Sequence, residues 1–256
     1  MRDLVGIVLA AGKGERLHPL TEVRPKALCP INNIPLLDLA VARVRRHVAE
    51  IAVNTHHLAD QVQAHLDGTG IMVSVEAPEA LGTAGALGAL RHWIAGRDVL
   101  IHNADAWLTD PLDQLVRGWD RRQPRLLVAP AGDGRADFGD RRFVGVSLLP
   151  GTMAASLPAC PSGLYEAVWR DAWERGRLEL IDVTGPAIDC GTIADYLRAN
   201  LIANGGASVI GAGCVVNGKL RRSVVWDGCT VEPGECLVDT VRATASLTVR
   251  AITQVT

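Results

Sequence analysis

The feature that most constrains this chain is the alternation of two apolar periods along its first hundred residues. Residues 5–10 are an unbroken apolar, β-branched run, the pattern of a strand buried on both faces of a parallel sheet. Apolar side chains then recur at 36, 37, 40, 41, 44 and 48, which is helical spacing. Residues 51–55 read as a second strand, Leu58, Val62 and Leu66 as one face of a helix, and 71–76 as a third strand. Residues 83–93 form a helical stretch, with Leu87, Leu90 and Ile94 on one face, and a fourth strand at 99–102 runs into Asn103-Ala104-Asp105. Strands alternating with helices imply βαβ units and a mostly parallel sheet. Strands at 126–129, 143–149 and about 178–183, and helices at 165–175 and 195–203, continue the pattern.

The pattern stops at Asn204-Gly205-Gly206. Beyond it, Ile210-Gly-Ala-Gly-Cys, Val225-Trp-Asp-Gly-Cys, Val231-Glu-Pro-Gly-Glu and Leu237-Val-Asp-Thr repeat a short unit: an aliphatic residue, then small or turn residues. This is the signature of a hexapeptide β-helix with two or three coils. The expected division is 1–204 and 205–256. So short a coil stack leaves aliphatic rungs that need cover. The tail should therefore pack on the first unit, on a second subunit, or both, and truncation after Asn204 should leave the loop at Gly12-Lys13-Gly14 itself intact.

The balance of charge excludes some partners. A net charge of −2 over 256 residues argues against a nucleic-acid footprint and against a polybasic membrane patch. Six cysteines, at 29, 160, 190, 214, 229 and 236, form no C-x-x-C pair, which suggests reduced and mostly buried thiols in a cytoplasmic protein. The opening Met1-Arg2-Asp3-Leu4 reads as the approach to a first strand, not as a signal peptide. Only Lys13, Lys26 and Lys219 are lysine among 26 Lys and Arg residues. A chain that otherwise uses arginine keeps two lysines in one short stretch, where a compact ammonium suits better than a planar fork.

That stretch follows the first strand directly. Residues 11–35 carry glycines, prolines and charges and read as a long loop, a feature that is usually functional. Gly12-Lys13-Gly14 lets backbone amides approach an anion. It is not a dinucleotide fingerprint, because Leu17-His18-Pro19 interrupts, and no Walker A pattern is present. Residues 9–30 read LAAGKGERLHPLTEVRPKALCP. This resembles the signature of the sugar-1-phosphate nucleotidyltransferases, G-x-G-x-R-L-x-P-L-T followed by P-K. The resemblance extends through Leu81-Gly82-Thr83-Ala84-Gly85, Asn103-x-Asp105, Phe143-x-Gly145-Val146 and Asp189-Cys190-Gly191-Thr192.

The resemblance implies a Rossmann-like three-layer α/β sandwich with a mostly parallel mixed sheet and a short left-handed β-helix tail. It implies an enzyme that joins a nucleoside triphosphate to a sugar 1-phosphate and releases pyrophosphate, as a homo-oligomer, with a dimer favoured. Leu9, Ala10, Ala11, Gly12, Lys13 and Gly14 would take the nucleotide together with Leu81, Gly82 and Thr83. Arg16 would clamp the β- and γ-phosphates, and Lys26 would sit between the α-phosphate and the sugar phosphate. Asn103, Gly145 and Asp189 would face the sugar. Asp105 and Asp189 would hold Mg²⁺, which takes few protein ligands and keeps its waters.

The chain departs from the family where Ala187 and Ile193 replace its usual Trp and Pro around Asp189. It also lacks the family's second phosphate-binding lysine, a role that Arg135, Arg141 or Arg142 could fill. A non-catalytic sugar-nucleotide-binding homologue is the alternative from another class. A hexapeptide-repeat acyltransferase fails on coil count. The base is expected to be guanine, because Glu76 could accept from both guanine donors at the end of the third strand. The alternatives are uridylyl or thymidylyl transfer. His56, His57 and Glu166 read as surface groups, and Trp107, Trp169 and Trp173 as packing residues.

Overall fold

The computed structural model describes residues 4–132 and 134–251; Met1, Arg2 and Asp3 fall outside them. In chain order the first elements are β1 (Leu4–Leu9), α1 (Leu20–Val23), β2 (Pro30–Ile31), β3 (Ile34–Pro35) and α2 (Leu36–Val44). There follow β4 (Ile51–Thr55), α3 (Ala59–Leu66), β5 (Met72–Val75), α4 (Gly82–Ala89), α5 (Arg91–Ile94), β6 (Asp98–Asn103) and β7 (Ala106–Leu108). Next come α6 (Asp113–Val116), β8 (Arg125–Pro130), β9 (Arg141–Leu149), α7 (Gly151–Ala154), α8 (Arg170–Glu174), β10 (Glu179–Asp182), β11 (Ala187–Asp189) and α9 (Ile193–Ala203).

β1 is hydrogen-bonded in parallel on both edges, to β4 and β6, as its unbroken apolar run requires. The main sheet has the order β10-β8-β9-β6-β1-β4-β5, with β9 antiparallel to both its neighbours. One face carries Val8, Val53, Leu100 and Val146 under α2 and α3; the other carries Ile7, Ala52, Val99 and Ile101 under α4 and α5. That is the expected three-layer α/β arrangement. The chain runs from β1 to β4 and β5 on one side, then returns to place β6 on the other. Between β1 and β6 the strand order reverses, and such switch points open a crevice at the carboxyl ends of the strands.

Two local expectations are corrected. The segment 11–35 is not structureless: it holds α1, the β2–β3 hairpin and single 3₁₀ turns at Glu15–Leu17 and Lys26–Leu28. The helix expected over 83–93 breaks at Leu90 into α4 and α5. α4 is rich in glycine for a steric reason. A Cβ on Gly85 or Gly88 would sit 2.2 Å from the carbonyl oxygens of Cys160 and Pro158, so the segment at 158–162 lies directly on the helix.

Beyond α9 the chain coils. β12 (Val209–Ile210), β13 (Val215–Val216) and β14 (Lys219–Arg221) make one three-sided turn. β15 (Val224–Val225), β16 (Thr230–Val231) and β17 (Cys236–Val238) stack on it in parallel, in the register Val209↔Val224, Val215↔Thr230 and Lys219↔Cys236. β18 (Thr240–Arg242) starts a third turn, and β19 (Thr248–Arg250) folds back antiparallel on it, covering the last edge.

The tail packs on the first unit. Val209, Val224, Val225, Trp226 and Val241 share one apolar cluster with Leu17, Leu20, Cys29 and Ile31 of the loop segment and with Tyr196 and Leu197 of α9. Trp226 Nε1 donates to Tyr196 Oη (3.0 Å), Tyr196 Oη donates to the Pro30 carbonyl (2.6 Å), and the Arg24 guanidinium lies 4.4 Å over the Trp226 ring. Leu17, Leu20, Cys29 and Ile31 thus tie the later part of the loop segment to the tail. Trp226→Ala should cost about 3–5 kcal/mol, the range for deleting a buried aromatic. A urea midpoint unchanged from wild type would show that the tail is an appendage. Of the cysteines only Cys29, Cys190 and Cys229 are buried; Cys160 and Cys236 are exposed, and all six are free thiols. Among the described residues no helix is long and apolar enough to cross a membrane.

Candidate active site

A cavity of about 200 Å³ opens at the carboxyl ends of β1 and β6. Leu9, Ala11, Gly12, Gly82, Thr83, Asn103 and Asp105 line it, so most of the residues singled out by sequence meet in one place. Ala10 and Lys26 line a smaller adjoining space that shares Leu9, Gly12 and Asp105.

The charged centre is built by short strands. β7 and β11 pair antiparallel with Asp189 opposite Ala106, and Cys190 N donates to the Asp105 carbonyl (2.9 Å). This pairing brings together two aspartates that are remote in sequence. Lys26 reaches both from its 3₁₀ turn: Nζ lies 2.5 Å from Asp105 Oδ2 and 3.5 Å from Asp189 Oδ1. Arg16 Nη2 donates to Asp189 Oδ2 (3.3 Å). Lys26 is only 8% exposed, whereas the side chain of Arg16 is 67% exposed. The lysine is a fixed point charge, and the arginine reaches Asp189 from solvent.

Two carboxylates that converge on one ammonium are hard oxygen donors already gathered round a cation. That fits a divalent ion of the Mg²⁺ type, for which Asp105 and Asp189 would be the protein ligands. No group of three or more His, Cys, Asp or Glu side chains suited to a metal exists among the described residues. Substrate oxygens and water would complete such a site.

Gly145 does not line the cavity; it supports it. Its φ is +91°, and a Cβ there would meet Ala106 Cβ at 2.4 Å and Asn103 Cβ at 3.4 Å. Lys13 is exposed, and Leu81 points its amide at Glu76. Glu76 is corrected outright. It is 4% exposed, and both its oxygens are engaged inside the protein: Asn54 Nδ2 donates to Oε1 (2.7 Å) and Leu81 N to Oε2 (2.6 Å). The carboxylate is neither solvent-facing nor free to read a base edge. Of the three arginines, Arg141 is engaged by Asp140 and Asp182, Arg135 is exposed, and Arg142 Nη2 donates to the Ala187 carbonyl (2.9 Å), two residues before Asp189. His56 and His57 bond the backbone oxygens of Glu76 and Thr21, and Glu166 is exposed. Trp107 and Trp169 are core residues, and Trp173 is 41% exposed.

Sequence reasoning missed Asn54. It lines the cavity and, through Oδ1, accepts from Ala10 N (2.8 Å). A polar residue near the end of an otherwise apolar strand was the available signal. It also passed over His102, fully buried on β6, whose Nδ1 donates to the Asn103 carbonyl (2.8 Å). Burial pushes this imidazole down to about 4; the bond to Asn103 opposes the shift and the charge of Arg43 adds to it. The unfolded chain thus takes up this proton first as the pH falls. Stability present above about 6.5 should be lost progressively toward pH 4, and His102→Gln should flatten that loss. Urea midpoints across the interval check it.

A family model described as MobA-like NTP transferase domain matches residues 6–210. A bifunctional protein GlmU of Methanococcus maripaludis is 24% identical over 196 residues, covering 73% of this chain and 47% of that protein. An N-acetylmuramate alpha-1-phosphate uridylyltransferase of Caulobacter vibrioides is 34% identical over 152 residues, 53% of this chain and 63% of its own length. The chain thus aligns with about half of the one relative and under two thirds of the other. A solved structure described as a mannose-1-phosphate geranyltransferase from Thermus thermophilus superposes with a TM-score of 0.71 at 16% identity, covering 97% of this chain and 94% of that one. It shares the fold, tail included.

Proposed function

Because the chain belongs to the MobA-like NTP transferase domain family, we propose that it transfers a nucleotidyl group from a nucleoside triphosphate to a sugar 1-phosphate. The observation that carries the reading is Lys26, buried in the space adjoining the cavity and in contact with both Asp105 and Asp189. A phosphate oxygen of the sugar 1-phosphate attacks the α-phosphorus. A new P–O bond forms, the bond from the α-phosphorus to the α,β-bridging oxygen breaks, and pyrophosphate leaves with the electron pair. The nucleophile is already anionic, so no general base is needed, and catalysis is positioning plus charge neutralisation.

The amides of residues 11–14 and the Arg16 fork take the β- and γ-phosphates. Lys26 supplies a point charge between the two phosphates that react. Asp105 and Asp189 would hold the divalent ion, which supplies neutralisation of triphosphate charge when bound. Arg142 is the nearest of the three arginines by connectivity to take the role of the absent second lysine. Residues 1–204 form the catalytic unit and 205–256 its structural tail. With both its oxygens engaged by Asn54 and Leu81, Glu76 does not favour guanine. UTP is the first triphosphate to try, in view of the uridylyltransferase among the relatives.

The test is a matrix of GTP, UTP, dTTP, ATP and CTP against glucose, mannose, N-acetylglucosamine and N-acetylmuramate 1-phosphates, with pyrophosphate release as the readout. Release from at least one pair is expected. Sugar-nucleotide binding without release from any pair would favour the non-catalytic homologue.

A further inference from the structure

We propose that Asn54 and Glu76 form a positioning relay that fixes the spacing between the two loops taking the nucleoside triphosphate. The inference rests on the nucleotidyltransferase reading of the same cavity. Ala10 N donates to Asn54 Oδ1 (2.8 Å), Asn54 Nδ2 donates to Glu76 Oε1 (2.7 Å), and Leu81 N donates to Glu76 Oε2 (2.6 Å). The chain of bonds starts where the phosphate loop leaves β1 and ends where the second loop enters α4. Its two side chains are 3% and 4% exposed.

Glu76 is a buried carboxylate whose hydrogen-bond partners are neutral N–H groups, a costly placement unless those bonds are all made. Both members are also pinned from behind. Asn54 sits in β4, and Glu76 N donates to the Thr55 carbonyl (2.8 Å) while His56 Nδ1 bonds the Glu76 carbonyl (2.9 Å). The relay thus ties two loops to one rigid sheet end. Polarity along it is strict. Asn54 must accept on one side and donate on the other, and Glu76 must accept twice.

That polarity gives a test by inversion. In Asn54→Asp, two carboxylates replace a donor–acceptor pair. In Glu76→Gln, the amide NH₂ must face either Leu81 N–H or the Asn54 NH₂. In the double variant, the new carboxylate at position 54 accepts from Ala10 N and from the new amide NH₂ at position 76. The oxygen of that amide accepts from Leu81 N, so every donor again meets an acceptor. Each single change should raise the KM for the triphosphate about 10-fold or more, with the sugar 1-phosphate KM within about twofold, because loop misplacement acts on positioning. The double variant should return to within about threefold of wild type, with base preference unchanged.

Equilibrium dialysis with UTP and with GTP, without sugar phosphate, reads the same effect apart from turnover. A double variant no better than the singles, or a Glu76→Gln enzyme with wild-type triphosphate affinity, overturns the relay. A base preference changed in the double variant also overturns it and returns Glu76 to direct base reading. If Asn54→Asp does not fold, recovery of folding and triphosphate binding in the double variant carries the test, and its failure to recover them overturns the relay. Triphosphate binding with rescue but no pyrophosphate release overturns the reaction and leaves the relay; release without rescue does the reverse.

Discussion

Lys26→Ala is expected to lower kcat/KM by 100-fold or more, about 2.7 kcal/mol of transition-state stabilisation. The ammonium is nearly buried, and its position is set by two carboxylates and a 3₁₀ turn, so neither a neighbouring side chain nor water can replace its charge at the same point. Lys26→Arg should fail as well. Lys26 Nζ reaches both Asp105 and Asp189 as a compact point charge, and the planar, wider guanidinium does not reproduce that placement. Steady-state kinetics on both variants, with circular dichroism to confirm folding, checks this. Near-wild-type turnover in the arginine variant would remove Lys26 from the reacting phosphates.

The second large effect concerns Asp105. Asp105→Asn keeps the shape of the side chain and removes its charge. It should lower turnover by 100-fold or more while leaving the fold in place, because the side chain is one-third exposed and Lys26 keeps Asp189 as a partner. Chelation of divalent ions should abolish wild-type activity, and added Mg²⁺ should restore it. Full activity in metal-free buffer would contradict the assignment of Asp105 and Asp189.

How much of this was legible in the sequence depended on whether a residue's role is local. The strand at residues 4–9 and the helix at Leu36–Val44 could be read because a single apolar period decides them. The tail could be read because its unit repeats. Residues 11–35 looked featureless because their turns are too short to show a period and are held by contacts with Tyr196 and Trp226 far along the chain. The break at Leu90 was hidden because the apolar face continues across it, while Gly85 and Gly88 serve a neighbouring backbone rather than the helix itself.

The site was legible where chemistry demands a residue type. Lys26, Asp105 and Asp189 converge as expected. Glu76 was misread because a sequence shows that a carboxylate is present, not where its oxygens point. Here Asn54, in a different strand, turns them inward. Asn54 itself carried only the weak signal of a polar residue near a strand end.

The most direct test follows the α-phosphorus. A triphosphate labelled at that atom is incubated with the protein, Mg²⁺ and the sugar 1-phosphate that gives most pyrophosphate. The products are then resolved by chromatography, the label in each is counted, and pyrophosphate is assayed separately. The expected products are a diphosphate-linked sugar nucleotide that carries the label and unlabelled pyrophosphate in equal amount, with neither formed when the sugar phosphate is omitted. Label recovered as free nucleoside monophosphate, or formed at the same rate without sugar phosphate, would contradict it.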